Sequence, residues 1–221
     1  MKTKAKNKNA LFITFEGGEG AGKTTLIDSV EKDLVSKGYQ VLRTREPGGS
    51  NLSEHIRGWL LNHDFDVKVG EKAELLLFLA ARAQHIEELI KPSLEQGKIV
   101  LCDRFNDSTV VYQGIARGLG LETTRQLCEL VCEEVQPDLT LVLDLDPVIG
   151  LSRTKNAIKE NAASGQMDRI ESEKLEFHQK VHRGFKQLAA EDTERFVVID
   201  AEQSAQQVFL EAQQAINEKL K

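Results

Sequence analysis

Two hydrophobic periods alternate along the chain. Short apolar runs rich in β-branched residues recur as "LFITFE" from Leu11, "QVLRTRE" from Gln40, "KIVLCDR" from Lys98, "LTLVLDL" from Leu139 and "RFVVID" from Arg195. Their length and composition are those of buried strands. Between them, apolar residues return every three or four positions over 23–36, 72–90, 122–134 and 175–190, and again in a tail from about Ser204. That spacing predicts amphipathic helices. Strands alternating with helices predict an α/β fold, a parallel sheet with helices on both faces and right-handed crossovers. The Pro and Gly residues fall in loops ("EPGGS", "QPD", "EQGK"), and there is no internal repeat or low-complexity linker. A single domain over 1–221 is expected.

Between the first strand and the first helix lies "GGEGAGKTT", residues 17–25. Gly17, Gly22, Lys23 and Thr24 fit G-x-x-x-x-G-K-[ST]. Glycines let the backbone turn so that successive N–H groups point at phosphate oxygens, and the following helix adds its positive end. Lys23 supplies a full charge to the outer phosphates, and the Thr24 hydroxyl can ligate Mg²⁺. The loop Gly17, Gly18, Glu19, Gly20, Ala21, Gly22, Lys23, Thr24 and Thr25 is therefore expected to bind a nucleoside triphosphate.

Composition narrows the partners. The formal net charge of -6 gives no general attraction for nucleic acid. The 40% hydrophobic and 29% charged content is that of a soluble chain with a core. No apolar run is long enough to span a membrane. The basic start "MKTKAKNKNA" reads as a solvated tail over 1–10, without the apolar stretch of a signal peptide. Three cysteines, Cys102, Cys128 and Cys132, do not make a disulfide framework and suit a reducing cytoplasm. "HQKVH", from His178, lacks the glutamate of a zinc-protease helix and lies in a charged segment.

A triphosphate loop serves both switch GTPases and kinases. The guanine-reading N-K-x-D that a switch needs after a late strand has no counterpart here. A kinase needs cations for an acceptor's phosphate, and Arg45, Arg57, Arg82, Arg104, Arg153 and Arg169 offer planar forks suited to it. Asp103 and Arg104 end an apolar strand, where ligands gather in open α/β sheets. Asp103 is placed to hold a metal ion or its water. A non-catalytic P-loop protein and a kinase for any nucleoside monophosphate stay open on these residues.

The ordered set "FEGGEGAGKTT", "REPGGS", "LLLFLAARAQHI", "DRFNDSTVVYQG" and "MDRIE" resembles the thymidylate kinases of bacterial type. The resemblance runs from about Leu11 to the C-terminus. It implies a P-loop NTPase fold with a five-stranded sheet, a mobile lid at about 152–170 and a homodimer. It also implies transfer from ATP to dTMP, with Mg²⁺ at Thr24 and Asp103. By resemblance, Glu19 would accept a hydrogen bond from the sugar 3′-hydroxyl, and Glu46 and Pro47 would shape the acceptor side. Phe78 would stack on thymine, and Arg82 would bond its carbonyl edge; i and i+4 share a helix face. Arg57 and Arg104 would hold the monophosphate. Ser108, Tyr112 and Gln113 would line base and sugar, with Tyr112 crowding the 2′ position. Lys23, Arg104, Glu19 and a lid arginine, Arg153, would be the catalytic groups, and Arg153 and the stretch Asp168 to Glu171 would bracket the lid. The phosphate loop carries Ala21 and no arginine, so the cation for transfer must come from the lid, where Lys155 and Lys159 compete with Arg153. Phe105 stands where a tyrosine is common.

Overall fold

A computed structural model describes residues 10–61, 69–160 and 168–221, with 158–160 as backbone only. The basic tail lies outside them apart from Ala10. So do the middle of the lid, the side chain of Lys159 and Met167 of "MDRIE". All five apolar runs form strands: β1 (Leu11–Gly17), β2 (Val41–Arg45), β3 (Ile99–Asp103), β4 (Leu139–Asp144) and β5 (Phe196–Asp200). They make one fully parallel sheet in the order β2-β3-β1-β4-β5. The chain runs from β1 out to β2 and back to β3, then crosses β1 to build β4 and β5 on the other side. This reversal opens a crevice beyond the carboxyl end of β1. Register brings Asp103 level with Phe15 on one side and with Arg45 on the other, so three strands end at that crevice.

Both faces of the sheet are covered. On one face Ile13, Phe15, Leu101, Leu141 and Ile199 pack with Ile27 of α1 (Lys23–Ser36). α2 (Asn51–Leu61) and α3 (Glu71–His85) lie beside the crevice, and α3 runs through one wide turn at Ile86–Ile90 into the short α4 (Lys91–Glu95). On the opposite face Phe12, Val100 and Cys102 meet Ile86, Ile90 and Phe105. The turn-length α5 (Asn106–Thr109) widens into a π-type segment, Val110–Ala116, followed by α6 (Leu121–Cys132). Val142 and Phe196 pack there on Val111 and on Val181 and Phe185 of the later α8 (Leu175–Glu191).

The helix expected over 72–90 is thus α3 plus a wide turn, and that expected over 122–134 is α6, two residues shorter at its end. α8 (Leu175–Glu191) and α9 (Ala205–Lys219) fall where the periodicity put them, with Ser204 capping α9 through its hydroxyl. α2 and α7 (Pro147–Glu160) are additions, and the first part of the expected lid is the end of α7. No helix among the described residues is long and apolar enough to cross a membrane.

Candidate active site

The loop after β1 is shaped by its glycines. Gly20 has φ 67°, and a Cβ on it would lie 2.2 Å from the carbonyl oxygen of Gly150 on α7. Only hydrogen fits there. Gly22, at φ 90°, precedes α1 and offers no side-chain cap, so the first amides of α1 keep their N–H groups for a ligand. Lys23 is buried and folds back, donating from Nζ to the carbonyls of Gly17 at 3.2 Å and Gly18 at 2.8 Å. Burial and the neighbouring Arg104 both push its pKa down. The negative charge of an incoming phosphate would oppose both.

Arg104 follows β3 with a left-handed backbone, φ 68°. Its guanidinium donates to Gly17 O at 3.0 Å and to Glu19 Oε1 at 2.6 Å, and lies 5.0 Å over the Tyr112 ring. The Tyr112 hydroxyl donates to the same Glu19 oxygen at 3.0 Å. Burial alone would raise the Glu19 pKa, but Arg104 and Lys23 outweigh it and hold the carboxyl at about 2. Glu19 is therefore an ionised acceptor for any hydroxyl entering the cleft.

The opposite wall is a second polar network. Buried Arg82 donates from Nε to Glu46 Oε2 at 2.7 Å, from one terminal nitrogen to Thr109 at 2.9 Å and from the other to the Phe105 carbonyl at 3.0 Å. His85 Nδ1 lies 3.0 Å from the other Glu46 oxygen, and its Nε2 lies 2.7 Å from the Thr44 hydroxyl. Glu46 precedes a cis proline, Pro47, whose carbonyl accepts from Arg57 at 2.8 Å. Arg57 has no carboxylate partner among the described residues and faces the cleft, as a cation awaiting an anion would. The cleft holds about 340 Å³. Glu19, Gly20, Gly22, Lys23 and Thr24 line one end, and Phe78, Arg82, Tyr112 and Gln113 the other. Arg57, Asp103, Arg104 and Ser108 lie between. Phosphate-binding amides at one end and an aromatic wall at the other suit two nucleotides meeting in the middle.

A family model described as thymidylate kinase matches residues 15–212. A thymidylate kinase from Protochlamydia amoebophila is 53% identical over 208 residues, covering 94% of this chain and 92% of its own. One from Shouchella clausii is 46% identical, with 96% and 97% covered. The chain belongs to the thymidylate kinase family. A crystal structure of thymidylate kinase from Ehrlichia chaffeensis superposes with a TM-score of 0.72 at 35% identity, covering 94% of this chain and 99% of that one.

Most residues expected for a thymidylate kinase site converge on the cleft. Glu46 and Pro47 line it together with the groups above. Gly17 and Gly18 contribute carbonyls to Lys23, Ala21 is buried in the core, and Thr25 is exposed. Arg153 stands apart. It is exposed and donates to the Ala201 carbonyl at 3.3 Å, beyond the end of β5. Thr24 and Asp103 line the cleft together and also share an adjoining hollow, a hydroxyl and a carboxylate in reach of one space. Such oxygen donors are of the kind Mg²⁺ takes. The sequence reading missed Glu16, His85, Glu74 and Gly150. The first three carry polar groups inside otherwise apolar or helical runs, which was the available signal; Gly150 had none.

Proposed function

We propose that the chain transfers the γ-phosphoryl group of ATP to dTMP, giving ADP and dTDP. The observation that carries this reading is the single cleft that joins the phosphate loop to the Phe78, Arg82 and Gln113 wall in a member of this family. Lys23 and the loop amides hold the triphosphate, with Thr24 and Asp103 as the residues that would hold Mg²⁺. That ion would draw charge from the phosphate oxygens. Arg57 and Arg104 bring the acceptor phosphate close against like-charge repulsion. A phosphate oxygen of dTMP attacks the γ-phosphorus as the bond to ADP breaks. The acceptor is already an anion, so the site needs no base. Glu19 accepts the sugar 3′-hydroxyl, Phe78 stacks on the base, and Tyr112 closes the space at the 2′ carbon. Arg153, or Lys155 or Lys159, comes in with the lid to meet the charge that builds in the transition state.

The same reading takes residues 1–221 as one domain. It places the protein in the cytoplasm, in keeping with its free buried cysteines. It also makes the protein a homodimer, in keeping with the apolar side chains left exposed on α2 and α3. The test is ADP release from the purified chain with Mg²⁺ and ATP across a panel of nucleoside monophosphates. Turnover with dTMP well above the rest is expected. Turnover with a purine or cytidine monophosphate instead would assign another kinase, and binding of ATP without turnover would assign a non-catalytic role.

A further inference from the structure

Glu74, on α3, is almost wholly buried at 1% exposure, yet it is the meeting point of three elements. Gln113, in the π-type segment, donates from Nε2 to its Oε1 at 2.8 Å. Arg117, just beyond that segment, donates to the same oxygen at 3.2 Å. Arg169, at the end of the lid, donates to Oε2. Arg169 is itself fixed by the Leu60 carbonyl, which its Nε reaches at 2.8 Å, and by its main-chain N–H on the Leu61 carbonyl. Burial works against the Glu74 charge, but Gln113, Arg117 and Arg169 more than restore it and pull the pKa below the ordinary carboxylate value. An ionised carboxylate only accepts hydrogen bonds.

That one-sidedness has a consequence across the amide. Gln113 lines the cleft, and a carboxylate behind it admits only the NH₂ end of the amide. Its carbonyl, Oε1, is left to the cleft, and no donor reaches it among the described residues. We propose that Glu74 is a positioning residue that locks the Gln113 amide with its acceptor toward the base and so selects pyrimidines carrying N3–H over cytosine. Thymine and uracil both offer that proton. Cytosine presents a bare N3, an acceptor against an acceptor, and leaves both unpaired in a buried place. Arg82 faces the same wall as a donor, so the pair reads a carbonyl beside an N–H. The device does not separate thymine from uracil.

This inference rests on the pyrimidine reading of the cleft. It is tested with the full-length chain by kcat/KM for dTMP, dUMP and dCMP, by KM for ATP, and by calorimetry of each monophosphate. Glu74→Gln keeps the shape, but its own amide accepts either orientation of Gln113. The dTMP-to-dCMP ratio is expected to fall about tenfold, the worth of one such hydrogen bond. The dTMP-to-dUMP ratio and KM for ATP should stay within about twofold. Glu74→Asp keeps the charge for both arginines and draws the oxygens back from Gln113, so it should move the ratio the same way if Glu74→Gln fails to fold. A merely structural Glu74 would lower Tm and leave the ratio alone, which overturns the proposal. A wild-type chain that takes dCMP as readily as dTMP overturns it too. Absence of turnover, with dTMP bound in preference to dCMP by the wild type and that preference reduced in Glu74→Gln, would count against the kinase reading and leave the Glu74 lock supported.

Discussion

At the scale of one residue, Glu16 sets the sharpest pH dependence. Its carboxyl is fully buried, with one oxygen accepting the Phe105 N–H at 2.8 Å and the other the Ser108 hydroxyl at 2.6 Å. Burial first, and then the nearby Asp107, raise its pKa to about 7. A folded pKa above the unfolded one means that the folded state holds the proton more tightly. The resulting stability is complete below about 4.5 and is lost as pH rises through about 7, in all about 3 kcal/mol. Glu19 has the opposite sign: its contribution is present above about 4.5 and lost only as pH falls toward about 2. The two windows do not overlap between pH 5 and 8. Glu16→Gln, which carries no titrating group, should therefore gain on the wild type by about 2 kcal/mol from pH 5 to pH 8, several degrees in Tm. Thermal melts of both proteins across that range check it; a constant difference would mean that Glu16 is ionised throughout. The sequence concealed this residue, because in "LFITFE" a single glutamate at the end of an apolar run looks like a strand terminus. Only the return of the chain at Phe105 and Ser108 turns it into a buried acceptor.

Among elements, α7 is the one whose placement matters most to the chemistry. A Cβ on Gly150 would lie 2.2 Å from the Glu19 carbonyl oxygen, so the helix and the phosphate loop touch backbone to backbone. Arg153 is one turn further along and in this arrangement bonds to Ala201 rather than to the cleft. For Arg153 to serve the proposed transfer, α7 would have to shift about this glycine contact and release the Ala201 carbonyl. A contact made mainly in the transition state lowers kcat and spares affinity. Arg153→Ala is accordingly expected to lower kcat by at least about a hundredfold with KM for dTMP nearly unchanged. Loss with Lys155→Ala or Lys159→Ala instead would make the transferring cation a lysine. The strands and the long helices were readable because each presents an apolar face to the sheet. α7 was not: of its residues with described side chains, 147–157, only Gly150 is buried, and Val148 and Ile149 are exposed. A helix that meets a loop through one glycine presents no buried apolar stripe to a core. The motif residues were legible for the same reason in reverse, since phosphate chemistry demands particular residues at fixed spacing.

On the scale of the molecule, the acceptor side of the cleft is built on two helices whose outer faces are apolar. α2 and α3 pack together through Ile56, Leu60 and Ala81, and their other sides expose Leu52 at 46%, Trp59 at 47% and Leu76 at 60%. Large apolar side chains left in water on two helices that pack together would suit the dimer face proposed above. A stable dimer buries about 1,200–2,000 Å² in total, which two such helices from each subunit can supply. The inner sides of the same helices carry Arg57, Phe78 and Arg82 into the cleft, and the end of α2 holds Arg169 through two carbonyls. Association would thus brace the acceptor pocket from behind and leave the phosphate loop, on the far side of β3, untouched. Light scattering should give twice the chain mass for the wild type. Trp59→Glu and Leu76→Glu each place a charge in the joint and should give the monomer. In those variants KM for dTMP is expected to rise severalfold while KM for ATP holds within about twofold. A wild-type monomer would remove α2 and α3 as a dimer face, and a monomeric variant with an unchanged KM for dTMP would show that each subunit holds its acceptor pocket unaided.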